Sequence, residues 1–127
     1  MGEIPVPEED GRPLTQTGAI LLRIAERHGR FGTTDEAGRF EVLRWRLWDN
    51  HKPTSYMATY RFMRALTRAP NPEVLSFFRG RLDNILAVAE RHFERQPFAF
   101  GGEPTVADRS MCAYLPIRRS KPATISQ

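Results

Sequence analysis

Between Asn71 and Phe93 the sequence places an apolar residue every three or four positions: Leu75, Phe78, Leu82, Ile85, Ala89 and Phe93. That spacing keeps one face of an α-helix apolar over several turns and fits no strand, whose period is two. Asn71 is a strong N-cap and Pro72 is preorganised for the first helical position, so the start is well defined. Arg79, Asp83, Glu90, Arg91 and Glu94 fall on the solvent side. Gly80 is an interior weakness of about 1 kcal/mol unless another helix packs closely against it. A helix this long and apolar on one side needs partners.

The rest of the chain supplies them. From Gln16, the residues Ile20, Ile24 and Arg27 share a helical face, with Leu21 and Ala25 beside it. Thr15 or Thr17 is placed to cap the start, and Gly29 to end the run in a left-handed conformation. Thr33 and Glu36 have the spacing of a capping box for a second helix. That helix carries two apolar rows, Phe40-Leu43-Leu47 and Val42-Trp45-Trp48, which predicts cover on more than one side. It is expected to end near Asn50-His51, before Pro53. A third helix is expected over 54–69, with Tyr56, Tyr60 and Met63 in one row and Phe62 and Leu66 in another. Thr105 and Asp108 form a second capping box, opening a last helix with Met111, Tyr114 and Leu115 inward and Cys112 alongside. The first fifteen residues read as two short extended pieces about a turn at Asp10-Gly11, with Pro7 at an edge or bulge. The expected class is mainly α, a helical bundle behind a strand-turn-strand-helix segment.

Charge and composition remove several function classes. The net charge is +4, but Arg118, Arg119 and Lys121 lie in the last twelve residues, leaving a nearly neutral body. Nucleic-acid binding needs clustered charge of one sign, so no nucleic-acid partner is expected. One cysteine excludes an intramolecular disulfide or a multi-thiolate metal site. His28, His51 and His92 show no paired ligand spacing, and Asp49-x-His51 reads as a solvated helix end rather than a metal site. No apolar run approaches a membrane span, and the start lacks the features of a secretory signal, so a cytoplasmic protein is expected. Cys112, with apolar neighbours, reads as a buried inert thiol. Trp45, Trp48, Tyr56 and Tyr60 read as core rather than as the border of a substrate cleft.

Glu3-Ile4-Pro5-Val6 followed by Leu14-Thr15-Gln16-Thr17-Gly18-Ala19-Ile20-Leu21 resembles the glutathione-recognition segment of the glutathione S-transferase family. Trp45-Arg46-Leu47-Trp48-Asp49-Asn50-His51-Lys52 and Arg79-Gly80-Arg81-Leu82 resemble its bacterial members. Pro104-Thr105-Val106-Ala107-Asp108 matches the capping motif of the core helix in its helical domain. Order and spacing together carry the resemblance, which stops at about Leu115.

The resemblance implies three parts: a partial thioredoxin-like, glutathione-binding segment at 1–30, a helical domain at 33–115, and a basic tail at 116–127 without regular structure. It implies a cis bond before Pro5, with the backbone of Ile4 pairing with the extended tripeptide. Gln16 and Thr17 would hold the γ-glutamyl carboxylate. Without the family, this helix start reads as an ordinary cap, although a free helix N-terminus does attract a carboxylate. The family's reaction is attack of the glutathione thiolate on a hydrophobic electrophile, with glutathione as co-substrate, no other cofactor, and homodimers as partners. The strand that carries the catalytic Tyr, Ser or Cys does not appear before the recognition segment. The expectation is therefore an inactive or weakened, N-terminally truncated form with no catalytic residue. The alternative is a non-catalytic dimerisation or scaffold module. The single chain is expected to be marginal or self-associating, because its strands leave an open edge.

Overall fold

The computed structural model describes residues 4–115, so the tail at 116–127 lies outside the described residues. A hairpin of β1 (Glu8–Glu9) and β2 (Arg12–Pro13) comes first. It pairs Glu8 with Pro13 and Glu9 with Arg12 across the two-residue loop Asp10-Gly11. Both loop residues have positive φ, 51° and 72°, the twist that a tight hairpin requires. Pro7 lies just outside the ladder, where its carbonyl accepts from Leu14 N–H at 2.8 Å. Glu9 then ties the hairpin to the first helix by accepting from Arg23 Nε at 2.7 Å and Arg27 Nη1 at 3.1 Å. The hydrogen bond from Arg23 holds its carboxyl below the usual range.

Five helices follow: α1 (Thr17–His28), α2 (Glu36–Asp49), α3 (Ser55–Leu66), α4 (Pro72–Phe93) and α5 (Val106–Met111). The class is mainly α, as the periodicity predicts. Gly29 ends α1 at φ 59°, and Asn71 caps α4 by accepting from Glu73 and Val74 N–H. The Thr105–Asp108 box is present in both directions.

Two boundaries differ from expectation. Asp35, not Thr33, caps α2, by accepting from Gly38 N–H at 2.7 Å. A carboxylate at the N-cap serves as well as a hydroxyl and adds favourable charge at the helix start, so no Thr33–Glu36 box forms. Pro53 does not separate α2 from α3. Asn50–Thr54 form a π-helical turn, and the two helices run on through it. The widened turn removes the need for an N–H at Pro53, and Ser55 Oγ donates to Asn50 O at 3.0 Å. The third helix also stops earlier than expected, at Leu66, with Thr67 extended.

The core joins Ala25 of α1, Val42 and Trp45 of α2, Ala99, and Val106, Ala107 and Met111 of α5. Leu82, Ile85 and Ala89 of α4 are buried, whereas Leu75, Phe78 and Phe93 are half-buried. The inward face of α4 is thus correct in phase but fully covered only along its middle. One predicted row fails. Phe40, Leu43 and Leu47 are 65%, 44% and 62% exposed, because α5 packs on the Val42-Trp45 side and nothing described covers the other.

Two glycines carry opposite expectations. A Cβ at Gly80 would meet nothing within 4 Å, so Gly80→Ala should raise stability by about 1 kcal/mol. A Cβ at Gly38 would lie 2.7 Å from Phe100 Cε1 and 2.8 Å from Thr33 Cβ, so Gly38→Ala should cost about 1–3 kcal/mol. Urea midpoints should move in opposite directions. A lower midpoint for Gly80→Ala would mean that another surface covers α4 there.

Candidate functional site

The start of α1 has no side-chain cap. Gln16 occupies the N-cap position at φ 68° and ψ 107°, and neither Thr15 nor Thr17 caps the helix as expected. Thr17 is already the first helical residue, so the cap position has passed to a side chain too long to fold back. A positive φ at a non-glycine residue costs of order 1–3 kcal/mol and commonly marks a ligand site. The first amide to find a helical carbonyl is Ile20 N–H, which donates to Gln16 O at 3.1 Å. Helix geometry therefore leaves the N–H groups of Thr17, Gly18 and Ala19 without intrahelical partners, at the positive end of the dipole. Gln16 and Thr17 are both exposed.

Behind this helix start lies a residue that sequence reading missed. Arg46 of α2 is only 5% exposed. Its Nη2 would lie 2.5 Å from a Cβ at Gly18, so the guanidinium is pressed against the first turn of α1 and glycine leaves room for it. Its Nε and Nη1 are buried without a hydrogen-bond partner. Burial pushes its pKa down, against the pull of the Asp49 carboxylate. Asp49 is 1% exposed and accepts from Ser110 Oγ, while its Oδ1 has no partner. Burial pushes its carboxyl up, opposed by the Ser110 hydroxyl, the charge of Arg46 and Thr54. Asp49-x-His51 is therefore not a solvated helix end. His51 is exposed, but Asp49 is buried because the chain continues helically past it. The available signal was spacing: Val42, Trp45 and Asp49 stand at i, i+3 and i+7 on one helical face.

Ile4 is joined to Pro5 by a cis bond, as the resemblance implies, and is 94% exposed. Gln16 and Thr17 are adjacent at the helix start, whereas no hydrogen bond links Ile4 to either among the described residues. Chemically, α1 presents free amides, a threonine hydroxyl and a nearby buried cation. That is a receptor for a carboxylate.

Solved structures were compared with this fold. A glutathione S-transferase from Pseudomonas fluorescens Pf-5 superimposes with a TM-score of 0.81 at 29% identity, covering 89% of this chain and 57% of that one. A glutathione S-transferase from Xanthobacter autotrophicus Py2 gives 0.79 and 28%, over 89% of this chain and 56% of that one. The chain belongs to the glutathione S-transferase family. A glutathione transferase from Streptococcus pneumoniae, solved with glutathione, shares the fold at a TM-score of 0.75 but only 19% identity, over 81% and 40% of the two chains. This chain thus spans about half the length of these transferases. No protein-family model matches it, and no curated protein does.

Other candidate chemistry on this transferase-like chain is sparse. Cys112 is exposed, not buried, because the face of α5 that turns inward carries Val106, Ala107 and Met111. Its Sγ donates to Arg109 O at 3.0 Å. Arg109, where an apolar residue was expected, lays its guanidinium 4.8 Å from the centre of the Phe31 ring. Trp45 is buried and Trp48, Tyr56 and Tyr60 are half-buried, in keeping with packing roles. Among the described residues no His, Cys, Asp and Glu side chains cluster to hold a metal ion. No described helix is long and apolar enough to cross a membrane.

Proposed function

We propose that this chain binds glutathione through its γ-glutamyl carboxylate at the start of α1, as the recognition half of a glutathione transferase. The observation that carries the reading is the uncapped, exposed helix start at Gln16-Thr17 with the buried, incompletely paired Arg46 behind it. Two sources of positive potential meet there without an anion in contact, and a bound carboxylate would complete both. Thr17 would donate its N–H and hydroxyl, Gln16 its amide, and Ile4 its backbone to the extended peptide. In this reading 1–30 belong to the glutathione-binding unit and 33–115 to the helical one, and the protein works in the cytoplasm. The exposed row Phe40, Leu43 and Leu47 would supply an apolar wall for a hydrophobic electrophile. On its own the chain would bind without conjugating, because a thiol of pKa near 8.5 needs a donor on its sulfur.

The same exposed row favours a second reading, a non-catalytic module that dimerises through α2. Calorimetry separates the two. Glutathione should bind saturably, and γ-aminobutyryl-cysteinyl-glycine, which lacks the γ-glutamyl carboxylate, should not. Thr17→Val should weaken binding several-fold, by about 1 kcal/mol for one lost hydrogen bond. Equal binding of both peptides would place the carboxylate elsewhere, and no binding of either would leave the scaffold reading.

A further inference from the structure

The nearly neutral body hides a local concentration of positive charge. A cleft of about 620 Å³ opens between α2 and the C-terminal end of α4, lined by Arg44, Trp45, Arg91, His92, Arg95 and Gln96. We propose that this cleft binds a small organic polyanion carrying phosphate or carboxylate groups, at a site separate from the start of α1. Arg44 and Arg46 are two residues apart on one helix and so point in nearly opposite directions, which keeps the two sites distinct.

Last-turn cations on α4 are expected, since they offset the negative end of the helix dipole. Two further observations exceed that role. Arg44 arrives from a different helix, its guanidinium stacked 4.9 Å from the centre of the Trp45 ring and braced by Glu41, with Nη2 donating at 2.7 Å. Trp45, only 3% exposed, forms the floor, and its indole N–H is buried without a hydrogen-bond partner. His92 lies 4.2 Å from the Trp45 ring, and its own nitrogens are engaged by Phe98 O and Gln96. No acidic side chain lines the cleft among the described residues. Three guanidiniums around one unmet indole donor suit a ligand with at least two anionic groups, and the volume admits a molecule of nucleotide size.

Calorimetric titration of the full chain with inorganic pyrophosphate and, separately, with citrate tests this. Saturable binding of either supports the site, and the tighter of the two identifies the ligand's anionic groups as phosphate or carboxylate. Arg91→Gln with Arg95→Gln should weaken binding at least about tenfold through loss of two charge-assisted partners. Arg64→Gln with Arg68→Gln removes the same charge from α3 and the loop after it, and should leave affinity nearly unchanged. Trp45→Phe, which keeps a ring but removes the donor, should weaken binding as well. Absence of saturable binding, or equal loss in the two double variants, overturns the proposal.

Discussion

Asp108→Ala is expected to lower stability by about 3–5 kcal/mol, the largest effect of any substitution on the semi-exposed surface of this chain. One carboxylate satisfies three donors. Its Oδ1 accepts from Ala99 N–H at 2.7 Å, and its Oδ2 from Thr105 N–H and Thr105 Oγ, both at 2.8 Å. Ala99 is 1% exposed and Thr105 3%, so water cannot replace the lost acceptor. Each abandoned buried donor costs about 1–3 kcal/mol, and hydrogen bonds to a charged partner lie toward the upper end. The carboxylate also fastens the loop before α5 to α5 itself, next to Val106, Ala107 and Met111 of the core. Urea denaturation measures the loss. Asp108→Asn, which retains an acceptor, should fall between wild type and alanine. A loss under about 1 kcal/mol for alanine would show that the box caps an already stable helix and does not hold the loop.

Concentration-dependent self-association is the second large expected result, with Leu43→Glu raising the dissociation constant at least about tenfold. Phe40, Leu43 and Leu47 form a continuous apolar row on α2, and Phe62 and Leu66 of α3 are 59% and 73% exposed on the continuing helix. Isolated exposed apolar residues are ordinary, but a row at helical spacing is a contact surface. A glutamate at the middle of that row would bury an unpaired charge in any contact made through it. Sedimentation equilibrium of wild type and variant decides this. A wild-type monomer at every concentration, or a variant that associates as tightly, would show that the row stays in water. Either outcome also bears on the reading of α2 as a dimerisation surface.

Features set by a few adjacent residues were legible in the sequence. Asn71-Pro72 starts α4, Thr105 and Asp108 start α5, Gly29 stops α1, and Asp10-Gly11 turns the hairpin. Each depends on local backbone and hydrogen-bonding free energies that need no distant partner. The recognition-segment residues Gln16 and Thr17 were legible in the same way, through their order along the chain. Their backbone geometry was not, since a positive φ at Gln16 persists only when surrounding structure enforces it.

Periodicity established that α2 has two apolar rows but not which one would be covered. α5 packs on Val42 and Trp45, and that choice left Phe40, Leu43 and Leu47 outside. The same packing carried Arg46 and Asp49 inside, exposed Cys112, and set Arg109 on Phe31. Pro53 reads as a helix end from its own chemistry, yet a π turn lets the helix continue and buries the proline. The sequence alone determined where helices start and which faces are apolar, because those follow from interactions within one or two turns. Which faces meet, and therefore which charges lose water beside the start of α1, was decided only by the tertiary structure, because desolvation depends on surfaces brought together from distant parts of the chain.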